Sequence, residues 1–274
     1  MTRSLVCTLL VASACTGLEP LPTIDTSDPG PVVPTVETGG PPTFEFDVPA
    51  EAFAAFRADE NVTLGSNDEV TAWTDLGGTL TATLTPPGDE GIQIFVDGSP
   101  SLDFRGTSNL MVDLGKRLTD ATVFVRFRYD ATESDNDYLY AIGDAEIDTP
   151  GGTQMSLSRG NFDGDGNLDS YHYTGKDELL GGRIQSDAWY TSRQVYLGTP
   201  QKVGTSHHTL FLDGQDALMD LSDTAYDVEG TLAIGNWLEG DFRLVNAEIR
   251  GLVIFDRLLT DEETAATEAW LAAL

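Results

Sequence analysis

The chain has 274 residues, of which 40% are hydrophobic and 22% are charged, so it holds enough apolar material for one or two folded domains. It carries 45 acidic against 15 basic residues, which gives a formal net charge of −30. This balance argues against nucleic acid as a partner and against electrostatic docking on anionic lipid, because both need clustered Lys and Arg.

The N-terminal residues predict export. An apolar run ends just before Cys15 and is too short to cross a bilayer as a helix. The stretch from Val11 to Cys15 resembles the lipobox of bacterial lipoproteins, which implies a signal peptide over residues 1–14 and a lipid on Cys15. An ordinary signal peptide cleaved near Ala14 remains the alternative, and it would leave Cys15 as a free thiol.

Residues 15–42 predict a disordered linker, since they are rich in Pro, Thr and acids and contain no Lys or Arg. Residues 43–274 form the predicted folded domain, which contains no cysteine. With a lipid anchor as its only membrane contact, the protein is expected in the bacterial cell envelope. Thr16 follows Cys15 where a retention signal would have an acid, which resembles outer-membrane sorting, so we expect an outer-membrane lipoprotein facing the periplasm or the cell surface.

The folded domain shows short apolar or alternating runs, broken by turn residues about every 8–12 positions, which predicts an antiparallel sandwich or barrel. The clearest predicted strands are Ile92–Val96, Ser101–Phe104, Ala121–Tyr129, Tyr138–Ile142, Gln154–Ser158, Asp169–Tyr173, Thr209–Leu212, Gly230–Ile234 and Ala247–Phe255. In the alternating segment Ala121–Tyr129, Arg126 and Arg128 point away from the apolar face.

Two helices are predicted. The first is a short N-terminal helix over Val48–Arg57. The second starts at Thr260, where Thr260 and Glu263 have the spacing of a capping box and acids fill the first turn. The residues expected to dock this C-terminal helix on the sandwich are Ala266, Ala269, Trp270 and Leu274.

Several segments, in order, resemble the landmarks of bacterial laminin-G-like domains of the concanavalin A-like lectin/glucanase type. These segments are Phe56–Gly77, Pro100–Gly106, Phe211–Gly214 and Ala247–Glu263. The resemblance implies an all-β jelly-roll sandwich of two curved antiparallel sheets. That fold hosts lectins, adhesion modules, polysaccharide hydrolases and lyases, so it leaves the activity open.

A glucanase of this fold needs two closely spaced carboxylates, which on one strand means Glu-x-Asp followed by a further Glu. The nearest match, Glu146 and Asp148, lacks the third acid, and Pro150 would interrupt the strand there. No catalytic residue is therefore predicted, and binding is favoured over catalysis.

A candidate Ca²⁺ loop follows the strand Gln154–Ser158. Oxygen ligands recur at Asn161, Asp163, Asp165 and Asp169, with a Gly at the sixth position as in calcium loops. The bidentate Glu expected at position twelve is missing. A solvated Asp/Gly turn is the alternative, because turns favour the same residues.

Sugar recognition needs exposed aromatic rings beside polar groups. The candidates on or near loops are Tyr171, Tyr173, Trp189 and Trp237, with core packing as the alternative for each. The sequence thus predicts a surface-tethered, non-catalytic recognition module for glycans or a cell-surface protein, with Ca²⁺ as a candidate cofactor. A polysaccharide-active enzyme of the same fold and a purely structural envelope or adhesion component remain open.

Overall fold

The structure is a computed structural model that describes Pro49 and residues 51–85, 91–130, 137–143, 154–159, 167–172, 177–185, 187–198, 208–220, 230–238 and 244–274. These residues belong to one compact unit, Glu45–Leu274. The boundaries predicted at residues 14 and 42 lie outside the described residues, as does Cys15. Within the described ranges, no helix combines the length and apolar composition needed to cross a membrane.

The described elements, in chain order, are β1 (Ala54–Arg57), β2 (Val62–Leu64), β3 (Val70–Thr74), β4 (Thr81–Thr85), β5 (Gln93–Asp97), β6 (Ser99–Arg105), β7 (Asn109–Asp113), β8 (Ala121–Tyr129), β9 (Asp137–Gly143), β10 (Gln154–Arg159), β11 (Asn167–His172), β12 (Asp177–Arg183), β13 (Tyr190–Tyr196), β14 (His208–Leu212), β15 (Gln215–Asp220), β16 (Thr231–Ile234), β17 (Asn246–Phe255) and α1 (Asp261–Ala272).

These strands form two antiparallel sheets. Sheet A has the order β15-β14-β13-β8-β17-β6-β5, and β1 also pairs with β17. Sheet B has the order β12-β11-β10-β9-β16-β7-β4-β3-β2. Buried side chains of both sheets, such as Val125 of β8 and Leu232 of β16, share one hydrophobic core. The predicted all-β, two-sheet antiparallel sandwich is therefore confirmed.

Each strand predicted from the sequence is present, with ends that differ by no more than two residues. β8 has the predicted limits, Ala121–Tyr129, and its side chains alternate as predicted. Val123, Val125 and Phe127 enter the shared core, whereas Arg126 and Arg128 are only partly buried on the opposite face.

The predicted N-terminal helix over Val48–Arg57 is wrong, because its described part contains β1 instead. Ala54 pairs with Ile254 and Arg57 with Gly251, so β1 extends sheet A beside β17. Phe56 enters the main core, while Ala55 packs on the other face of the sheet. A short strand buried on both faces shows the same run of apolar residues as a buried helical turn.

Helix α1 is confirmed together with its capping box. The Thr260 hydroxyl accepts a hydrogen bond from the Glu263 N–H, and the Glu263 carboxylate accepts one from the Thr260 N–H at 2.8 Å. The predicted docking face is wrong at Ala266 and Ala269, which are exposed. The buried residues of the helix are Thr267, Trp270 and Leu271. The larger apolar area of Trp270 and Leu271 sets the rotation of the helix, because an alanine gains little from burial.

The Trp and Asp landmarks after β2 have structural roles. The Trp73 ring is fully buried, its Nε1–H donates to the Arg57 carbonyl at 2.8 Å, and it packs 5.3 Å from the Phe56 ring. The buried carboxylate of Asp75 accepts hydrogen bonds from the N–H groups of Gly77, Thr79 and Leu80 at 3.0, 2.8 and 2.6 Å. Asp75 therefore holds the turn between β3 and β4.

Substituting Asp75→Ala should destabilise the sandwich by roughly 2–4 kcal/mol, because three backbone N–H groups lose a charged acceptor. Asp75→Asn keeps one acceptor oxygen and should lose less. The matched surface change Glu60→Ala should stay within about 0.5 kcal/mol. Urea unfolding measures all three, and equal losses for Asp75→Ala and Glu60→Ala would contradict the role given to Asp75.

The capping carboxylate also predicts a pH dependence. The hydrogen bond from Arg257, and then those from the backbone and side chain of Thr260, lower the pKa of Glu263 from 4.5 to about 2. Because the folded pKa lies below the unfolded one, its stabilisation is complete above pH 4.5 and is lost as the pH falls through about 2.

The difference in unfolding free energy between wild type and Glu263→Gln should therefore shrink as the pH falls from 4.5 to 2. Glu262→Gln, which removes an exposed acid from the same turn, provides the control. A difference that is independent of pH across this range would show that the Glu263 charge contributes nothing.

Candidate functional site

The outer face of sheet A is divided between a helix and a group of arginines. Helix α1 covers one part of this face, where Trp270 and Leu271 pack on Phe124 and Phe255. Arg193 of β13 pairs with Glu268 of α1 at 3.6 Å, and beyond the helix the outward positions are occupied by Arg126 and Arg128 of β8, Arg250 of β17 and Thr191 of β13. The central strands of the sandwich thus present a rigid basic surface.

Trp189 lies over this surface. It immediately precedes β13, in a segment held by Asp187, whose N–H donates to the Tyr129 carbonyl at 2.9 Å. Asp187 has a φ of 63°, a backbone conformation that favours glycine and adds strain to this turn. The indole is half-buried, so one part of it contacts the sheet and another part faces solvent.

Three guanidinium groups surround the Trp189 ring. Their central carbons lie 3.8 Å (Arg250), 5.0 Å (Arg128) and 5.8 Å (Arg126) from the ring centroid, within the range of cation–π attraction. We refer to Trp189, Arg126, Arg128 and Arg250 together as the Trp189 site.

Two of these arginines have strong acceptors. Arg128 donates twice to Glu248, at 3.1 and 2.5 Å, and lies 3.5 Å from the Asp97 carboxylate. Arg250 donates to the carbonyl of Leu274 at 3.0 Å and to that of Asp97 at 2.9 Å. Glu248 also accepts a hydrogen bond from Ser101 at 2.6 Å, so its carboxylate is fully engaged.

Arg126 is the least compensated of the three. Its Nη1 donates to the neutral hydroxyl of Thr191 at 3.2 Å. The buried Nε atoms of Arg126 and Arg250 have no acceptor among the described residues. Burial lowers the pKa of Arg126, and the charge of Asp213 opposes that shift. Burial, followed by the neighbouring charges of Arg126 and Arg128, lowers the pKa of Arg250.

Burial alone would lower the pKa of Arg128, but this pKa is instead raised, because the hydrogen bond and charge of Glu248, with the charges of Asp97 and Asp187, outweigh the burial. A partly exposed indole beside guanidinium groups can stack on the apolar face of a sugar ring while the arginines donate hydrogen bonds to its oxygens. The arrangement suits binding. The Glu248 carboxylate beside Arg128 is held by Arg128 and Ser101, which favours a structural role for it over acid–base chemistry.

A cleft lies in sheet B where β7 and β9 end and β16 begins. This cleft of about 560 Å³ is lined by Asp113, Gly115, Lys116, Arg117, Gly143, Gly230 and Thr231. None of these lining residues is aromatic, and Lys116 forms an ion pair with Asp256. The cleft therefore lacks a stacking ring, and the Trp189 site is the better candidate for sugar recognition.

The predicted calcium loop falls mostly outside the described residues, since Asn161, Asp163 and Asp165 lie in 160–166. Asp169 lies in β11, where its backbone pairs with Ser158 and Leu180. In the part of the chain that the structure describes, no group of three or more His, Cys, Asp or Glu side chains is placed to hold a metal ion.

The four aromatic residues predicted to bind sugar lie in different environments. Trp189 lies in the site just described, whereas Trp237 is 8% exposed and packs edge-on against Tyr138, with 4.7 Å between the ring centroids. We therefore place Trp237 in the core and not in a sugar site. Tyr171 contributes backbone pairing in β11 and Tyr173 lies outside the described residues.

The arginines of the site are absent from the sequence-based candidates. One signal could have identified two of them, because Arg126 and Arg128 occupy consecutive outward positions of an alternating strand in a chain with only 15 basic residues. Nothing in the sequence indicates that Arg250 joins them, since this depends on the pairing of β8 with β17.

No protein-family model matches the chain, and no curated protein matches it. Several solved structures match the chain. The sialidase of Trypanosoma rangeli in complex with 2,3-difluorosialic acid matches with a TM-score of 0.54 and 14% identity, over 87% of this chain and 35% of the sialidase. This chain thus spans about a third of that enzyme.

Domain 4 of AbnA, an extracellular arabinanase of Geobacillus stearothermophilus solved with arabinotriose, matches with a TM-score of 0.54 and 15% identity, over 80% of this chain and 97% of that domain. The binding domain of Paraclostridial Mosquitocidal Protein 1 matches with a TM-score of 0.52 and 15% identity, over 83% of this chain and 53% of that domain. At these identities the likeness shows a shared fold.

A double-mutant cycle tests the geometry of the site. Trp189→Ala and Arg250→Ala should show a coupling of roughly 0.5–2 kcal/mol in unfolding free energy, because each change removes the same stacked contact. The pair Trp189→Ala and Arg257→Ala should be additive, since Arg257 instead binds Glu263 and Glu51. Additivity in both cycles would show that the indole does not rest on Arg250.

Proposed function

We propose that the chain is a surface-tethered, non-catalytic recognition module that binds glycans at the Trp189 site. The observation that carries this proposal is the half-buried Trp189 ring held over three arginines on the outer face of a rigid sheet. An aromatic face supplies stacking area with little loss of conformational freedom, and fixed guanidinium groups supply directional donors.

Two of the structural neighbours support this proposal. The arabinanase domain was solved with arabinotriose and the sialidase with 2,3-difluorosialic acid, so proteins that share this fold are found with sugars. The arabinanase comparison is the more pertinent, because it covers nearly all of a single separate domain. The proposal for this chain rests on its own site, since the identities are low.

The cellular location of the chain is also part of the proposal. Lipidation of Cys15 would anchor the chain, and residues 15–42 would space the folded domain from an outer-membrane surface. Intact-mass measurement after detergent extraction tests the anchor, and an unmodified Cys15 would refute it. The calcium ligands Asn161, Asp163, Asp165 and Asp169 remain a proposal that a binding assay with and without EDTA addresses.

One feature favours a protein partner as a second candidate. β5 is the last strand along sheet A, and no described strand pairs with its outer side. Its residues Ile94, Phe95 and Val96 are 36%, 43% and 66% exposed. An exposed apolar edge strand can accept a further strand from another chain. β5 ends at Asp97, which contacts Arg128 and Arg250, so this candidate is tested by changes at Ile94 and Phe95, whose side chains are not part of the Trp189 site.

The glycan proposal predicts the behaviour of one variant. On an array of bacterial, plant and animal oligosaccharides, Trp189→Ala should lose at least about tenfold in affinity for any glycan that wild type binds, because the stacking face is removed. Phe95→Ala removes an exposed ring on β5 and serves as the matched control, with unchanged glycan binding.

Other results would change the proposed function or the proposed binding site. Equal loss in both variants would place glycan binding away from the Trp189 site, and wild type that binds no glycan would refute the proposal. Release of reducing ends from a bound polysaccharide would show that the protein is an enzyme and not a non-catalytic recognition module. Loss of binding in EDTA would show that a metal ion contributes.

A further inference from the structure

We infer that the ligand of the Trp189 site carries an anionic oxygen group, a carboxylate or a sulfate, which pairs with Arg126. The inference rests on the proposed function, because it names the chemical class of glycan that the same site would select. Its basis is the hydrogen bonding of Arg126, which is independent of the argument from the aromatic ring.

The three arginines of the Trp189 site differ in their hydrogen-bond acceptors. Arg126 offers five N–H donors, and among the described residues it donates to one neutral hydroxyl, that of Thr191. Arg128 by contrast has Glu248, and Arg250 has two backbone carbonyls. An anionic oxygen next to Arg126 would therefore supply the charged acceptor that the described residues leave missing.

The carboxylates around the three arginines do not replace this missing acceptor. Four carboxylates act on the three guanidinium groups: Glu248 and Asp97 contact Arg128, Asp187 also acts on Arg128, and Asp213 acts on Arg126. Among the described residues, none of these carboxylates accepts a hydrogen bond from Arg126, whose acceptor is the Thr191 hydroxyl, so an anionic oxygen at its guanidinium would add a contact that they do not make. A guanidinium fork binds a carboxylate or sulfate more strongly than it binds a sugar hydroxyl.

The charge of the whole chain limits the kind of anion that can bind. The whole chain carries a net charge of −30, so a densely charged polymer is repelled as it approaches. At about 0.1 M salt this repulsion is screened beyond about 10 Å, and a single anionic group can still reach the arginines. The expected ligand is therefore a mostly neutral oligosaccharide with an isolated uronate or sulfate.

The test compares matched ligands on the full chain. An array should include uronate-bearing oligosaccharides with their methyl esters, and monosulfated oligosaccharides with their desulfated forms. Wild type should bind the anionic member of at least one pair about tenfold more tightly than its neutral partner. The pair that shows the preference identifies the anion as a carboxylate or a sulfate.

Variants then locate the preference. Arg126→Gln should bring the ratio of anionic to neutral affinity close to one, because a neutral amide cannot form the charged pair. Arg126→Lys keeps the charge without the fork and should retain part of the preference. Arg105→Gln removes a cation that is paired with Asp103 and is the control, with the preference unchanged. The comparison of acid with ester in wild type needs no variant to fold.

The outcomes separate the two proposals. Binding of glycans with no preference for the anionic partner, or a preference that Arg126→Gln leaves intact, overturns the inference and leaves glycan recognition standing. Absence of binding to every glycan overturns the recognition function and, with it, the inference. A preference that falls with Arg126→Gln and persists with Arg105→Gln supports both.

Discussion

Strand β8 has to satisfy two environments at once, and the rest of the structure follows from how it does so. Its inward residues Val123, Val125 and Phe127 fill the space between the sheets. On the outer face of the same strand, Phe124 lies under α1, whereas Arg126 lies beyond the helix. The period of two along a strand therefore fixes both the core and the position of the site.

Helix α1 determines where the outer face changes from apolar to basic. Its rotation buries Trp270 and Leu271, and Leu274, two residues after the helix, offers a carbonyl to Arg250. This close approach explains Gly251 in β17, because a Cβ there would lie 2.9 Å from the Leu274 side chain and 3.0 Å from that of Leu271. The end of the helix thus holds one arginine of the Trp189 site in place.

Much of the fold was predictable from local patterns. The strands with clear alternation and the capping box of Thr260 and Glu263 depend on neighbouring residues, so the sequence contains the information directly. The region of β1 was not predictable in this way, because Ala55 and Phe56 are buried on opposite faces by different partners. Whether such a short apolar run forms a helix or a strand is decided by distant packing.

The site was predictable only in part. Trp189 was identifiable as an aromatic near a loop, but its arginine partners depend on register. Pairing places Arg128 opposite Glu248, and a bulge between Ile249 and Gly251 resets the register beside Arg126. Such a shift of one residue moves a side chain to the other face of a sheet, and the sequence does not encode it locally. The most direct test of the recognition site is an NMR titration with the tightest-binding oligosaccharide from the array. The account predicts saturable shifts of the Trp189 indole N–H and the Arg126 Nε–H, whereas shifts confined to β5 or to the cleft around Lys116 would contradict it.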